Sequence, residues 1–148
     1  MSNEQIAWAA GLFCGEGSTH LRTRKSRNGQ KDYVTPCLSV PQSNREVLDR
    51  FQEVFGVGRV NGPYSYPNGT SHAKNPVFRY SIDGGKTASE VLRLMWPYLS
   101  TEKRNQAQIV LDKWEAGKIG YEGRTYYADK PKYQHDFHNN RPLEAPRP

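Results

Sequence analysis

An α+β fold in the order αββαββα is predicted by three features of the chain. Two stretches alternate with period two, helix-periodic apolar stretches flank each of them, and glycine or proline marks the boundaries. At 148 residues the chain fits one domain with room for a core.

Residues 4–14 place Ile6, Ala7, Ala9, Ala10, Leu12 and Phe13 almost all round a helix. This helix expects burial on more than one side, and Gly15 and Gly17 are expected to stop it. Residues 19–40 then alternate, with Leu21, Val34, Pro36, Leu38 and Val40 on one face and His20, Arg22, Arg24, Tyr33, Thr35, Cys37 and Ser39 on the other. Arg27-Asn28-Gly29-Gln30 supplies the hairpin turn, while Pro36 lacks a ladder donor and predicts an edge or a bend.

Ser43-Asn44-Arg45-Glu46 has capping-box spacing, Val47, Leu48, Phe51, Val54 and Phe55 follow at helical intervals, and Gly56-Val57-Gly58 ends the run. A second hairpin joins 58–66 to 76–83 through a polar tip at 67–75, with Phe78, Tyr80 and Ile82 opposite Val77, Arg79 and Ser81. Thr87 to Glu90 repeats the capping spacing for a helix to Met95, which Pro97 breaks. A last helix over 101–116 carries Ala107, Val110, Leu111 and Trp114 on one face, with Gly117 as its stop. Phe51, Trp96 and Trp114 are spaced as core residues. Residues 118–148 form a polar extension rich in proline and tyrosine, in which His135 and His138 are expected to be solvated.

Lys plus Arg is 21 against 15 acidic residues, a net charge of +6, which suggests a polyanionic partner. The longest apolar run, 6–14, is far short of the roughly 18 residues that cross a bilayer, so a cytoplasmic protein without a membrane partner is expected. Cys14 and Cys37 are too few for a disulfide framework and lack the pairing of a zinc site.

Chemistry concentrates at the end of the first helix. Ala7, Gly11 and Gly15 recur every four residues and form a stripe of minimal volume over which another backbone can approach. Glu16 follows directly, a carboxylate where the helix dipole is already negative. A divalent cation, which takes carboxylate, carbonyl and phosphate oxygens, would remove that conflict.

The hairpins carry a basic face. A two-stranded ribbon fits the DNA major groove, where arginine can bond guanine O6 and N7 and lysine can hold phosphate. His20, Arg22, Arg24, Tyr33, Thr35, Cys37, Ser39, Arg59, Asn61, Arg79 and Ser81 are the groove-facing candidates, with Lys25, Arg27 and Lys31 beside them.

The run from Ala9 to Gly17, AAGLFCGEG, resembles the motif of the LAGLIDADG homing endonucleases, and the element order over residues 4–117 is similar to that family's single-motif core. Ala9 stands where the motif usually has leucine, and Cys14 where it has its first aspartate. The resemblance implies a homodimer in which Ala7, Gly11 and Gly15 line the interface between motif helices. It also implies a metal site of Mg²⁺ or Mn²⁺ held by Glu16 and the Gly15 carbonyl, and a curved antiparallel sheet on double-stranded DNA. Gln42 matches a water-positioning glutamine, Lys103 a lysine beside the active site, and Arg45 a further basic residue. The implied activity is a staggered double-strand break at a long, roughly palindromic target. The rival is a non-catalytic DNA- or RNA-binding module on the same scaffold, such as a transcription factor or intron maturase. Such a binder has no physical need for Glu16, Gln42 and Lys103 together.

Overall fold

A computed structural model describes residues 1–24, 33–65 and 75–122. Lys25, Arg27, Lys31 and the expected turn at 27–30 lie outside the described residues, as do 67–74 of the second tip and 123–148, with His135 and His138.

Helix α1 spans Asn3–Glu16 and starts earlier than its apolar pattern. Ser2 Oγ accepts the Gln5 amide at 3.2 Å and Gln5 Oε1 accepts the Ser2 amide at 2.8 Å, a reciprocal cap that satisfies two orphan donors. Gly15 is therefore inside the helix and not its stop; Gly17 is the cap, its N–H donating to Phe13 O at 2.8 Å. A Cβ at Gly17 would lie 2.2 Å from the Phe13 ring, so only glycine lets that ring close over the helix end.

Strands β1 (Ser18–Arg24), β2 (Tyr33–Gln42), β3 (Arg59–Tyr64) and β4 (Val77–Ile82) form one antiparallel sheet in the order β1-β2-β4-β3. β2 is thus interior, yet Pro36 is tolerated. It pairs only with Leu21 of β1, because β4 joins β2 from Leu38 onward. Pro41 pairs only with Arg79 of β4, beyond the last β1 pair at Ser39. Each proline sits where one neighbour is missing, so no ladder on both sides is interrupted.

Helix α2 is Arg45–Phe55, capped by Asn44, whose Oδ1 accepts the Glu46 amide at 3.0 Å, and not by the expected Ser43. The Ser43 amide and hydroxyl both donate to Gln42 Oε1, at 2.8 and 3.3 Å, so the Ser43 side chain turns away from the helix start. Helix α3 is Gly85–Met95 with Gly84 as a cap lacking a side-chain bond, so Thr87 lies inside the helix and the expected box at Thr87 and Glu90 does not form. Gly85 is buried beneath the Trp114 ring, where a Cβ would clash. After the short turn at Trp96–Tyr98, α4 runs Thr101–Glu122 straight through Gly117. One glycine in a helix costs only about 1 kcal/mol against alanine and does not by itself end it. Two helices follow the second hairpin, as the apolar spacing of 87–95 and 101–116 expects, so the order with every helix counted is αββαββαα.

All four helices build the core against one face of the sheet. Leu38, Val40, Tyr80 and Ile82 come from the strands, Ile6, Ala9, Ala10 and Phe13 from α1, and Leu48 and Phe51 from α2. Leu92, Met95, Trp96, Ala107 and Leu111 also belong to it. Phe51 meets Tyr80 edge-on at 4.8 Å between centroids. Each such side chain contributes about 1.5–3 kcal/mol of burial.

Tyr80 is also the core's polar tether, its hydroxyl donating to Val57 O at 2.9 Å across the turn that closes α2. Gly58 has φ +84°, and a Cβ there would meet the Tyr80 ring at 2.6 Å. Burial pushes the Tyr80 hydroxyl well above the ordinary tyrosine value of 10.0. The folded state therefore keeps a proton that the unfolded chain releases, so stability is complete below pH 10 and falls as pH rises above it. Tyr80→Phe should lower stability at neutral pH by about 1–3 kcal/mol, through the lost bond, and flatten the alkaline loss. Denaturant unfolding from pH 7 to about 11 measures both effects.

Candidate active site and nucleic-acid face

Glu16 is the last residue of α1 and is exposed. Lys103, on the first turn of α4, reaches the same point: its Nζ donates to the carbonyl of Gly17. Ser100 sets that turn by accepting the Lys103 amide on Oγ at 3.3 Å and the Arg104 amide on its carbonyl at 2.9 Å. The Ser100 amide in turn donates to Cys14 Sγ at 3.2 Å. Cys14 thus joins the motif helix to the start of α4, and the Lys103 ammonium is held on the carbonyl of the residue after Glu16, 86 positions away in the sequence.

Gln42 and Arg45 have other side-chain partners. Gln42 ends β2 and bonds Ser43, whereas Arg45 pairs with Asp49 at 3.4 Å and lies 5.9 Å from the Phe78 ring centroid. These contacts lie in the β2–α2 turn, at the end of the sheet where β1 leaves α1.

The small-residue stripe faces outward. Ala7 is half-buried and Gly11 and Gly15 are exposed, while Ile6, Ala9, Ala10 and Phe13 fill the core on the opposite side. A Cβ added at Gly11 or Gly15 would meet nothing within 4 Å. Crowding within the chain therefore does not account for either glycine, although each weakens the helix by about 1 kcal/mol relative to alanine.

The donor set at this end is hard oxygen, namely the Glu16 carboxylate and the Gly15 carbonyl in a last turn without a basic residue. That chemistry suits Mg²⁺ or Mn²⁺. Among the described residues no group of three or more His, Cys, Asp or Glu side chains could hold a metal ion. A complete shell here would draw on water, phosphate or a second chain.

The sheet turns its other face outward. His20 and Arg22 pair with Cys37 and Thr35, Ser39 lies between Ser18 and Ser81, Ser81 pairs with Arg59, and Arg79 pairs with Asn61. His20, Arg22, Arg59, Asn61 and Arg79 are exposed, and Ser39 and Ser81 are half-buried. Arg24 and Tyr33 continue the same pairing by register. Thr35 and Cys37 share the face but are 6% and 1% exposed, so neither is a base-edge reader as expected. They belong to an interior strand, and Cys37 Sγ bonds Thr35 O at 3.9 Å. The Arg79 guanidinium lies 5.7 Å from the Tyr64 ring centroid.

Asp83 is the residue that sequence reasoning missed. Its carboxylate takes Arg22 Nη1 at 3.1 Å and Arg59 Nη2 at 3.3 Å, joining the two edge strands. Val57, Gly58, Arg59, Ser81, Asp83 and Thr87 help line an open groove of about 400 Å³ there. The partners are 61 and 24 residues away, and no local pattern signals such a pairing.

This helix and strand order, with the motif helix ending beside α4, is the fold of the LAGLIDADG homing endonucleases. Three solved structures define the likeness. The homing endonuclease I-CvuI, in complex with its target in the presence of calcium, superposes with a TM-score of 0.61 at 21% identity, over 80% of this chain and 70% of that one. The archaeal intron-encoded I-Vdi141I, complexed with DNA, gives 0.53 at 16% identity over 93% and 92%. The LAGLIDADG enzyme I-SmaMI, bound to cleaved DNA, gives 0.55 at 22% identity over 80% of this chain but 37% of its own. Neither a protein-family profile nor a curated protein matches the sequence. At these identities the likeness establishes the fold.

Proposed function

We propose that the chain is a homodimeric, site-specific DNA endonuclease of the LAGLIDADG type that makes a staggered double-strand break at a long, roughly palindromic target. The observation that carries this reading is the bond of Lys103 to the carbonyl of Gly17, the residue after Glu16, at the end of a helix whose glycine stripe is open. That the neighbouring enzymes are bound to DNA in their structures supports the substrate class. That the chain covers only 37% of I-SmaMI leaves room there for a second such unit, which supports a dimer here.

In this reading two chains meet along Ala7, Gly11 and Gly15 and bring their Glu16 carboxylates together. Glu16 and the Gly15 carbonyl would hold Mg²⁺ or Mn²⁺, and a bound divalent ion activates water and stabilises charge on a phosphate. Lys103, fixed by Gly17, supplies positive charge where the phosphate oxygens gain negative charge as water oxygen attacks phosphorus and the bridging P–O bond breaks. Gln42 would turn its amide from Ser43 to orient the attacking water, and Arg45 would add positive charge. His20, Arg22, Ser39, Arg59, Asn61, Arg79 and Ser81 would then face the bases.

Lys103→Met should slow cleavage by about a hundredfold while duplex affinity in Ca²⁺ stays unchanged. A lysine that merely tethers α4 would instead show its loss in Tm, with the rate preserved. The function itself is tested with a randomised duplex pool incubated with Mg²⁺ and, separately, with Ca²⁺, followed by sequencing of cut ends and retained duplexes. Symmetric sites cut with Mg²⁺ are expected; retention in both conditions without cut ends would make the chain a binding module.

A further inference from the structure

A carboxylate in the middle of a surface that meets a polyanion weakens binding unless it has another task. Asp83 stands at the end of β4, its side chain 16% exposed, between guanidiniums that are 58% and 71% exposed. Arg22 and Arg59 come from opposite edges, three strand intervals or roughly 14 Å apart. Free arginines on two edge strands would reach for the nearest phosphates, because a phosphate attracts them without regard to base sequence. Held on Asp83, both forks are drawn inward. The contact uses Nη1 of Arg22 and Nη2 of Arg59, and each guanidinium has five N–H donors.

We propose that Asp83 is a specificity-determining positioning residue: it holds Arg22 and Arg59 over the centre of the sheet face for base edges and denies them to phosphates. The inference rests on the reading of this face as a DNA surface. It also accounts for the local charge, since one carboxylate between two guanidiniums leaves a net of one positive charge. Arg79, which stands against Tyr64, serves as an internal control on the same face.

The test compares wild type with Asp83→Asn, using the randomised duplex pool in Ca²⁺ and one fixed duplex of random sequence titrated over a range of salt. Asp83→Asn should bind the fixed duplex more tightly with a steeper salt dependence, because additional cations are displaced from phosphates. It should also lose roughly tenfold or more of its discrimination at the base pairs read by Arg22 and Arg59, while preferences read by Arg79 persist. In an Arg22→Gln, Arg59→Gln background the same substitution should leave discrimination unchanged, which a general structural role for Asp83 would not predict. Asp83→Glu, which keeps the charge on a longer arm, provides the second variant. It should keep the wild-type salt dependence and lose part of the discrimination. Wild-type discrimination in a folded variant of either kind overturns the inference. A wild-type protein that retains no duplex refutes the DNA surface itself, a separate and recognisable failure.

Discussion

Glu16→Gln should abolish cleavage, lowering the rate by about a thousandfold or more, while affinity for the same duplex in Ca²⁺ is retained. The substitution removes the charge of an exposed side chain at the end of α1 and touches none of the strands. It carries its own control. A carboxylate at a helix C-terminus is opposed by the macrodipole, so the neutral amide should stabilise the fold by about 0.3–1 kcal/mol. A gain in Tm with loss of cutting marks a residue kept for chemistry at the expense of stability. Equal loss of binding and cutting in a folded protein would mark Glu16 as structural.

Gly11→Leu should separate the two chains. No atom lies within 4 Å of a Cβ at this position, so the isolated fold accepts the larger residue, and replacing a helical glycine should strengthen α1 by up to about 1 kcal/mol. Between two motif helices the same side chain would be overpacked once per copy, weakening association by roughly a hundredfold or more. Sedimentation velocity should show a monomer with a raised Tm, and double-strand cleavage should disappear with the dimer. An intact dimer bearing Gly11→Leu would move the interface elsewhere on the molecule.

Much of this architecture was legible because its signals are local. Alternation in 19–40 and in 76–83 assigned the faces that the strand register shows, and the apolar spacing of Leu48, Phe51 and Val54 marked the buried side of α2. Helix ends were less legible. A cap depends on which of several adjacent polar side chains reaches the free amides, and Asn44 competes with Ser43 for that place. Alternation also states a face and not a depth. Thr35 and Cys37 point with Arg22 and His20 but lie on an interior strand, a consequence of the β1-β2-β4-β3 order that no window along β2 contains.

The site divides in the same way. Glu16 was conspicuous because a charge at the wrong end of a helix is a local contradiction. The bond from Lys103 to Gly17 and the bridge through Asp83 unite residues far apart in the chain, and pairing of that kind appears only once the helices and strands have packed. Lys103 entered through a motif resemblance, and Asp83 had none to announce it.

The most direct test of the central claim is native mass spectrometry of the protein on a duplex recovered from the randomised pool, held uncut in Ca²⁺ and then released by Mg²⁺. The account predicts two chains on each duplex and, after Mg²⁺, both strands cut at positions related by the two-fold axis of the target. A single chain on a duplex that is nevertheless cut on both strands would contradict it.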